Sequence, residues 1–117
     1  MSVQRSMPLV TVRDLDAAIE EYCRLTGMKV IMNHGWIATL ASPKDHSIQI
    51  SLITSDPTAP VNPVASIEVE DVDAVYRIAQ DNGWEIVHDL AAEEWGVRRF
   101  FVRDADGNVV NLLSHVG

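Results

Sequence analysis

The chain has one cysteine, Cys23, so no disulfide can form within it, and no Cys/His cluster with structural-zinc spacing is present. No apolar run approaches the roughly 20 residues that cross a bilayer as a helix. The opening stretch MSVQRSMPLV lacks a secretory signal's apolar region, so the expected setting is the cytoplasm. Basic residues are scarce: 9 Lys and Arg against 17 Asp and Glu, a formal net charge of −8. That excess argues against nucleic acid, whose phosphates need a basic surface. It mildly favours cationic ligands through long-range attraction, although solubility alone is the readier account. Neither a glycine-rich phosphate loop nor a Ser-His-Asp arrangement in recognisable context is found.

What is present is a repeat. Residues 12–18 read VRDLDAA, and VEDVDAV follows at 69–75, an offset of 57 residues (69 − 12). Each copy follows a β-branched run and precedes an amphipathic helical pattern ending at Gly27 or Gly83. Asp14 and Asp71 stand where an N-cap belongs and can accept orphan N–H groups of the first turn. Asp16 and Asp73 place negative charge where the helix dipole favours it.

In order, strands are expected at 8–12, 28–33, 36–41 and 47–53, with the first helix over 14–26. That helix should bury Ala18, Ile19, Tyr22 and Leu25. Residues 55–62 form a proline-rich linker. Strands at 64–69, 84–88, 97–103 and 108–115 follow, with the second helix over 71–82 and an acidic loop over 89–96. The second helix should bury Val72, Val75, Tyr76 and Ala79, and Trp84 beyond it should pack as core. The reading is one domain over 1–117, with β-α-β-β-β modules at about 6–54 and 63–115. Its class is α+β with mostly antiparallel sheet.

Two features together resemble the glyoxalase/bleomycin-resistance/dioxygenase (vicinal oxygen chelate) superfamily. One is the repeated V-x-D-[LV]-D-A followed by helix and Gly; the other is WGVRRFFVRDADGNVVNLL at 95–113, similar to that family's closing hairpin. The resemblance implies two modules whose sheets curl around a shared cavity, helices on the outside, and a homodimer. It also implies metal ligands (His, Gln or Glu) on strands one, four, five and eight. Here those positions carry Met7, Gln49, Val64 and Asn111. A thioether, an isopropyl group and two neutral amides cannot hold a hard divalent ion well. The expectation is therefore no catalytic residue of the family type, no metal and no cofactor.

The four histidines do not supply a replacement. His34, His46, His88 and His115 have no partner at i+2 or i+4, and His88 stands out only by bordering the acidic loop. Strand alternation puts Met7, Gln49, Ser66, Glu68 and Asn111 on the cavity face. Mixed apolar and small polar groups suit an organic ligand. Glu68 either pairs with an Arg such as Arg98 or Arg99 or binds ligand. Trp36 and Trp95 complete the candidate ligand site. Trp95, between carboxylates in EEWG, is either a lid or an aromatic plate for a flat or cationic ligand. The leading expectation is a non-catalytic binder that sequesters a cationic or aromatic antibiotic. Against it stand a lyase or dioxygenase, metal-dependent with displaced ligands or metal-free, and a purely structural dimer.

Overall fold

The computed structural model describes residues 2–115. Eight strands and two helices follow in the order β1 (Val3–Thr11), α1 (Leu15–Thr26), β2 (Lys29–Asn33), β3 (Ile37–Ala41), β4 (Gln49–Ile53), β5 (Ala65–Val69), α2 (Val72–Asp81), β6 (Glu85–Ala92), β7 (Val97–Arg103) and β8 (Val109–His115). This is the α+β, twice-repeated β-α-β-β-β order expected from the sequence. The chain divides into two units, one of Met7–Asn62 and the other of the chain up to Ser6 together with everything from Pro63 on.

In the Met7–Asn62 unit the strand order is β2-β3-β4-β1. β1 and β4 are parallel, with Leu9 opposite Ser51, and the other pairs are antiparallel. Helix α1 begins because the Asp14 carboxylate accepts from the Ala17 N–H at 3.1 Å. It ends at Gly27, whose φ of 76° closes an N–H bond to the Cys23 carbonyl at 2.8 Å. Its inner face buries Leu15 and Ala18 against Ala38, Leu40 and Leu52, with Ile19 and Tyr22 packed alongside.

The other unit repeats the plan as β5-β8-β7-β6, with β5 and β8 parallel. Asp71 caps α2 by accepting from the Ala74 N–H at 3.2 Å. Ser114 on β8 ties that junction to the sheet: its hydroxyl donates to the Val69 carbonyl and accepts from the Val72 N–H. Asp73 takes a forked contact from Arg98 on β7, with Nη2 at 2.9 Å. That hydrogen bond holds the Asp73 carboxyl below the usual carboxylate range. Val72, Ala79, Phe100, Val102 and Leu112 form the core, and Tyr76 meets Phe100 edge-on with centroids 5.0 Å apart.

Several expectations need correction. β1 starts at Val3 rather than 8, and the Glu70 N–H bonds the Ser2 carbonyl just before it, so backbone pairing extends a segment of weak strand propensity. β4 starts at Gln49, because Asp45 draws Ser47 into a turn with two hydrogen bonds. Ile48 is consequently exposed. β6 runs to Ala92 through two register shifts, so half of the expected acidic loop is strand, and His88 lies within it. Leu25 is 83% exposed, on the outer side of α1's last turn. Trp84 is 45% exposed and does not fill the core.

The β7–β8 turn rests on Asp104. Its carboxylate accepts from the N–H groups of Asp106 and Asn108 and from the Asn108 side chain. The Asn108 side chain, then its backbone N–H, lower the Asp104 carboxyl from its ordinary value of 3.8. A depressed folded value means the stabilisation is present above the unfolded value and disappears as pH falls through the lowered one. Asp104→Asn is thus expected to melt below the parent protein at pH 7, with the gap closing as pH drops below 3.8. A gap unchanged from pH 7 to pH 2, by thermal denaturation followed by circular dichroism, contradicts this role.

Candidate functional site

Each helix covers one face of its sheet, and successive residues of a strand point to opposite faces. In the unit from Pro63 on, Ile67, Val69, Phe100, Val102, Val110 and Leu112 go to the helix side. The opposite face therefore receives Ser66, Glu68, Arg99, Phe101, Asn111 and Leu113.

Ser66 and Asn111 are opposite each other in register, and both are 7% exposed. The Asn111 amide Nδ2 donates to the Ser66 hydroxyl at 3.0 Å. Its carbonyl Oδ1 is buried with no hydrogen-bond partner. A buried acceptor left in that state costs about 1–3 kcal/mol. Such groups in native structures call for a water or a ligand.

Glu68 lies on the same face and pairs with Arg5 Nε at 3.0 Å and His115 Nδ1 at 2.9 Å. An arginine does hold it, but neither Arg98 nor Arg99. Arg98 faces α2 and Asp73. Arg5 lies before the expected start of β1 at residue 8, and only the longer strand Val3–Thr11 places it here.

Arg99 is 4% exposed. Its guanidinium carbon stands 4.9 Å from the Trp95 ring centroid and 4.9 Å from that of Phe101, a cation between two aromatic rings. Glu93 Oε1 is 3.4 Å from Arg99 Nε and 3.4 Å from His88 Nε2. The His88 Nδ1 makes a 2.7 Å hydrogen bond with the Asp89 carbonyl. Trp95 is thus half-buried, and a cation of the chain itself already stands against its ring. Arg99 and Phe101 are two apart on one strand, so alternation alone could have put them together.

The Met7–Asn62 unit holds the other three candidates. Met7 is buried with Leu9 and Ile53, and Trp36 packs against that cluster. The Trp36 ring also stacks loosely on His34, centroids 6.4 Å apart. The Met7 sulfur accepts from the Ser51 hydroxyl at 2.9 Å, so Thr39, 2.7 Å from Ser51, is the donor of that second bond. Gln49 turns its Nε2 to the His46 carbonyl at 2.7 Å.

The donor set does not fit a divalent metal. Met7 offers a thioether engaged by a hydroxyl, and Val64, which is 51% exposed, offers no donor atom. Asn111 and Gln49 offer neutral amides, poor ligands for a hard ion without a carboxylate or imidazole. Among the described residues no three His, Cys, Asp or Glu side chains gather as a metal site.

The sequence model of the Glyoxalase/Bleomycin resistance protein/Dioxygenase superfamily matches residues 5–112, and the chain belongs to that superfamily. Solved structures share the fold. The methylmalonyl-CoA epimerase of Mycobacterium tuberculosis is 24% identical with a TM-score of 0.71, over 98% of this chain and 88% of that one. A variant of the Streptomyces coelicolor methylmalonyl-CoA epimerase, in complex with 2-nitronate-propionyl-CoA, is 20% identical with a TM-score of 0.74, over 99% and 100%. A superfamily member from Vibrio splendidus 12B01 is 14% identical with a TM-score of 0.72, over 97% and 99%. No curated protein matches the chain by sequence.

Glu93 is the hinge of the charged cluster. Glu93→Gln keeps its shape but withdraws the negative charge from Arg99, which the two rings cannot replace. The contact is a buried ion pair, and the loss on removing one partner of such a pair is up to about 3–5 kcal/mol because the other charge is left uncompensated. Urea denaturation of the two proteins measures it, and an unchanged midpoint would show that Arg99 is held without Glu93.

Proposed function

We propose that this protein is a non-catalytic small-molecule-binding member of its superfamily. Its ligand is an organic molecule with an aromatic part and an N–H or O–H donor. The observation that carries this is the Asn111 carbonyl, a buried acceptor with no partner at a position where the superfamily's enzymes place a metal ligand. A donor on the ligand satisfies that oxygen, and the half-buried Trp95 supplies apolar contact. The acidic balance of the chain favours a cationic ligand. Glu68 and Glu93, however, already hold Arg5 with His115 and Arg99 with His88. A cation would have to displace one of these, so the aromatic and donor features weigh more. Sequestration of an aromatic antibiotic or metabolite fits this chemistry.

The setting we propose is a cytoplasmic homodimer. No helix among the described residues is long and apolar enough to cross a membrane. β2 and β6 each have a strand neighbour on one side only, and such edges invite pairing. A second reading, an enzyme of the same superfamily, is favoured by the fold shared with methylmalonyl-CoA epimerases. It requires turnover, either without metal or on added divalent metal held despite Met7, Val64 and Asn111.

Calorimetric titration with aromatic amines, phenols and bleomycin-type glycopeptides tests the proposal, with light scattering on the same samples. Asn111→Leu removes the acceptor and should weaken the best binder about tenfold, roughly 1.4 kcal/mol. Trp95→Ala should cost about 0.5–1.5 kcal/mol, roughly two- to thirteenfold. Affinity unchanged by Asn111→Leu overturns the assignment of the site, and a monomeric mass overturns the homodimer.

A further inference from the structure

On the opposite face of the same sheet, between α2 and β7–β8, lies a mostly apolar cavity of about 310 Å³. Its wall includes Ala79, Phe100, Val102 and Val110, with Ile78 and Trp84 at its rim. The repeat explains its origin. Fifty-seven residues before Ala79 stands Tyr22, whose ring packs on the core of the first module. The second helix has a methyl group where the first has a phenol ring. Trp84, the side chain best able to fill that space, stays 45% exposed at the edge, and Ile78 is 53% exposed beside it. An apolar cavity of about 150 Å³ can stay dry and take up benzene. This one has about twice that volume, room for two fused rings.

The polar groups around it are already satisfied. Asp104 lines the wall but is engaged by the turn it caps. Arg103 pairs with Glu85 at 3.1 Å in the adjoining open cleft, which shares Trp84 and Asp104. No charge there is left to recognise a carboxylate, and Asp104 with Glu85 gives an anion a poor reception. We infer that this cavity is a second binding site, distinct from the face of Asn111 and Trp95, which takes a neutral fused-ring aromatic molecule in place of the missing ring. Trp84 and Ile78 cover the bound rings from the rim.

Indole, with indole-3-acetate as its anionic counterpart, is the probe. NMR titration of the full chain should show saturable indole binding, with intermolecular NOEs to the Ala79 and Val102 methyl groups. Indole-3-acetate should bind at least tenfold more weakly. Ala79→Tyr restores the ring that the repeat lacks and should weaken indole at least tenfold. If that variant does not fold, the NOEs in the parent protein decide alone. No saturable binding, NOEs confined to other residues, or undiminished binding by a folded Ala79→Tyr overturns the inference.

Discussion

Burial of one helix face against one sheet face is the constraint on which the rest of this structure depends. In each module a capped helix covers half of the strand residues with an apolar stripe, and Phe100, Leu40 and Leu52 are wholly withdrawn from water by it. Removing apolar surface from water at about 25 cal/mol per Å² is the main stabilisation. Since side chains alternate along a strand, fixing one face assigns the other. The residues turned away from the helix, Ser66, Glu68, Arg99 and Asn111 in one module and Thr39 and Ser51 in the other, are thereby free to be polar. The chemistry of the protein is written in those positions.

In both modules these side chains are engaged mainly with one another. Both carboxylates on the face of the second module are tied to cations of the chain itself. Arg99, between Trp95 and Phe101, makes a rigid wall of a side chain that is usually mobile. In the first module the Met7 sulfur is an acceptor for Ser51, a role that fixes a rotamer. On the same face the Asn111 side-chain oxygen is a buried acceptor with no hydrogen-bond partner.

Much of the fold was legible because its signals are local. Asp14 and Asp71 cap the helices they were expected to cap, and Gly27 closes its helix with positive φ. The alternation of β5 and β8 puts Ser66 and Asn111 on one face, where they stand opposite each other. What was not legible depends on long-range pairing. The first residues of β1 and the last of β6 are strand because a partner lies beside them, and propensity says little there. Missing that extension hid Arg5 as the partner of Glu68. Trp84 departs from the expected core position for a related reason: its type favours burial, but a gap beside Ala79 is filled only if the backbone aims the ring into it. The Arg99 pairing with Glu93 needed the β6–β7 register, which two bulges conceal.

The central proposal is that this chain binds an organic molecule and takes no metal at Met7, Gln49, Val64 or Asn111. Elemental analysis of untagged protein, purified from cells supplied with nickel, zinc, iron, manganese and magnesium, tests it most directly. The residues at the four positions predict no stoichiometric metal. One equivalent of any of these metals, lost together with ligand affinity on chelation, would contradict the account.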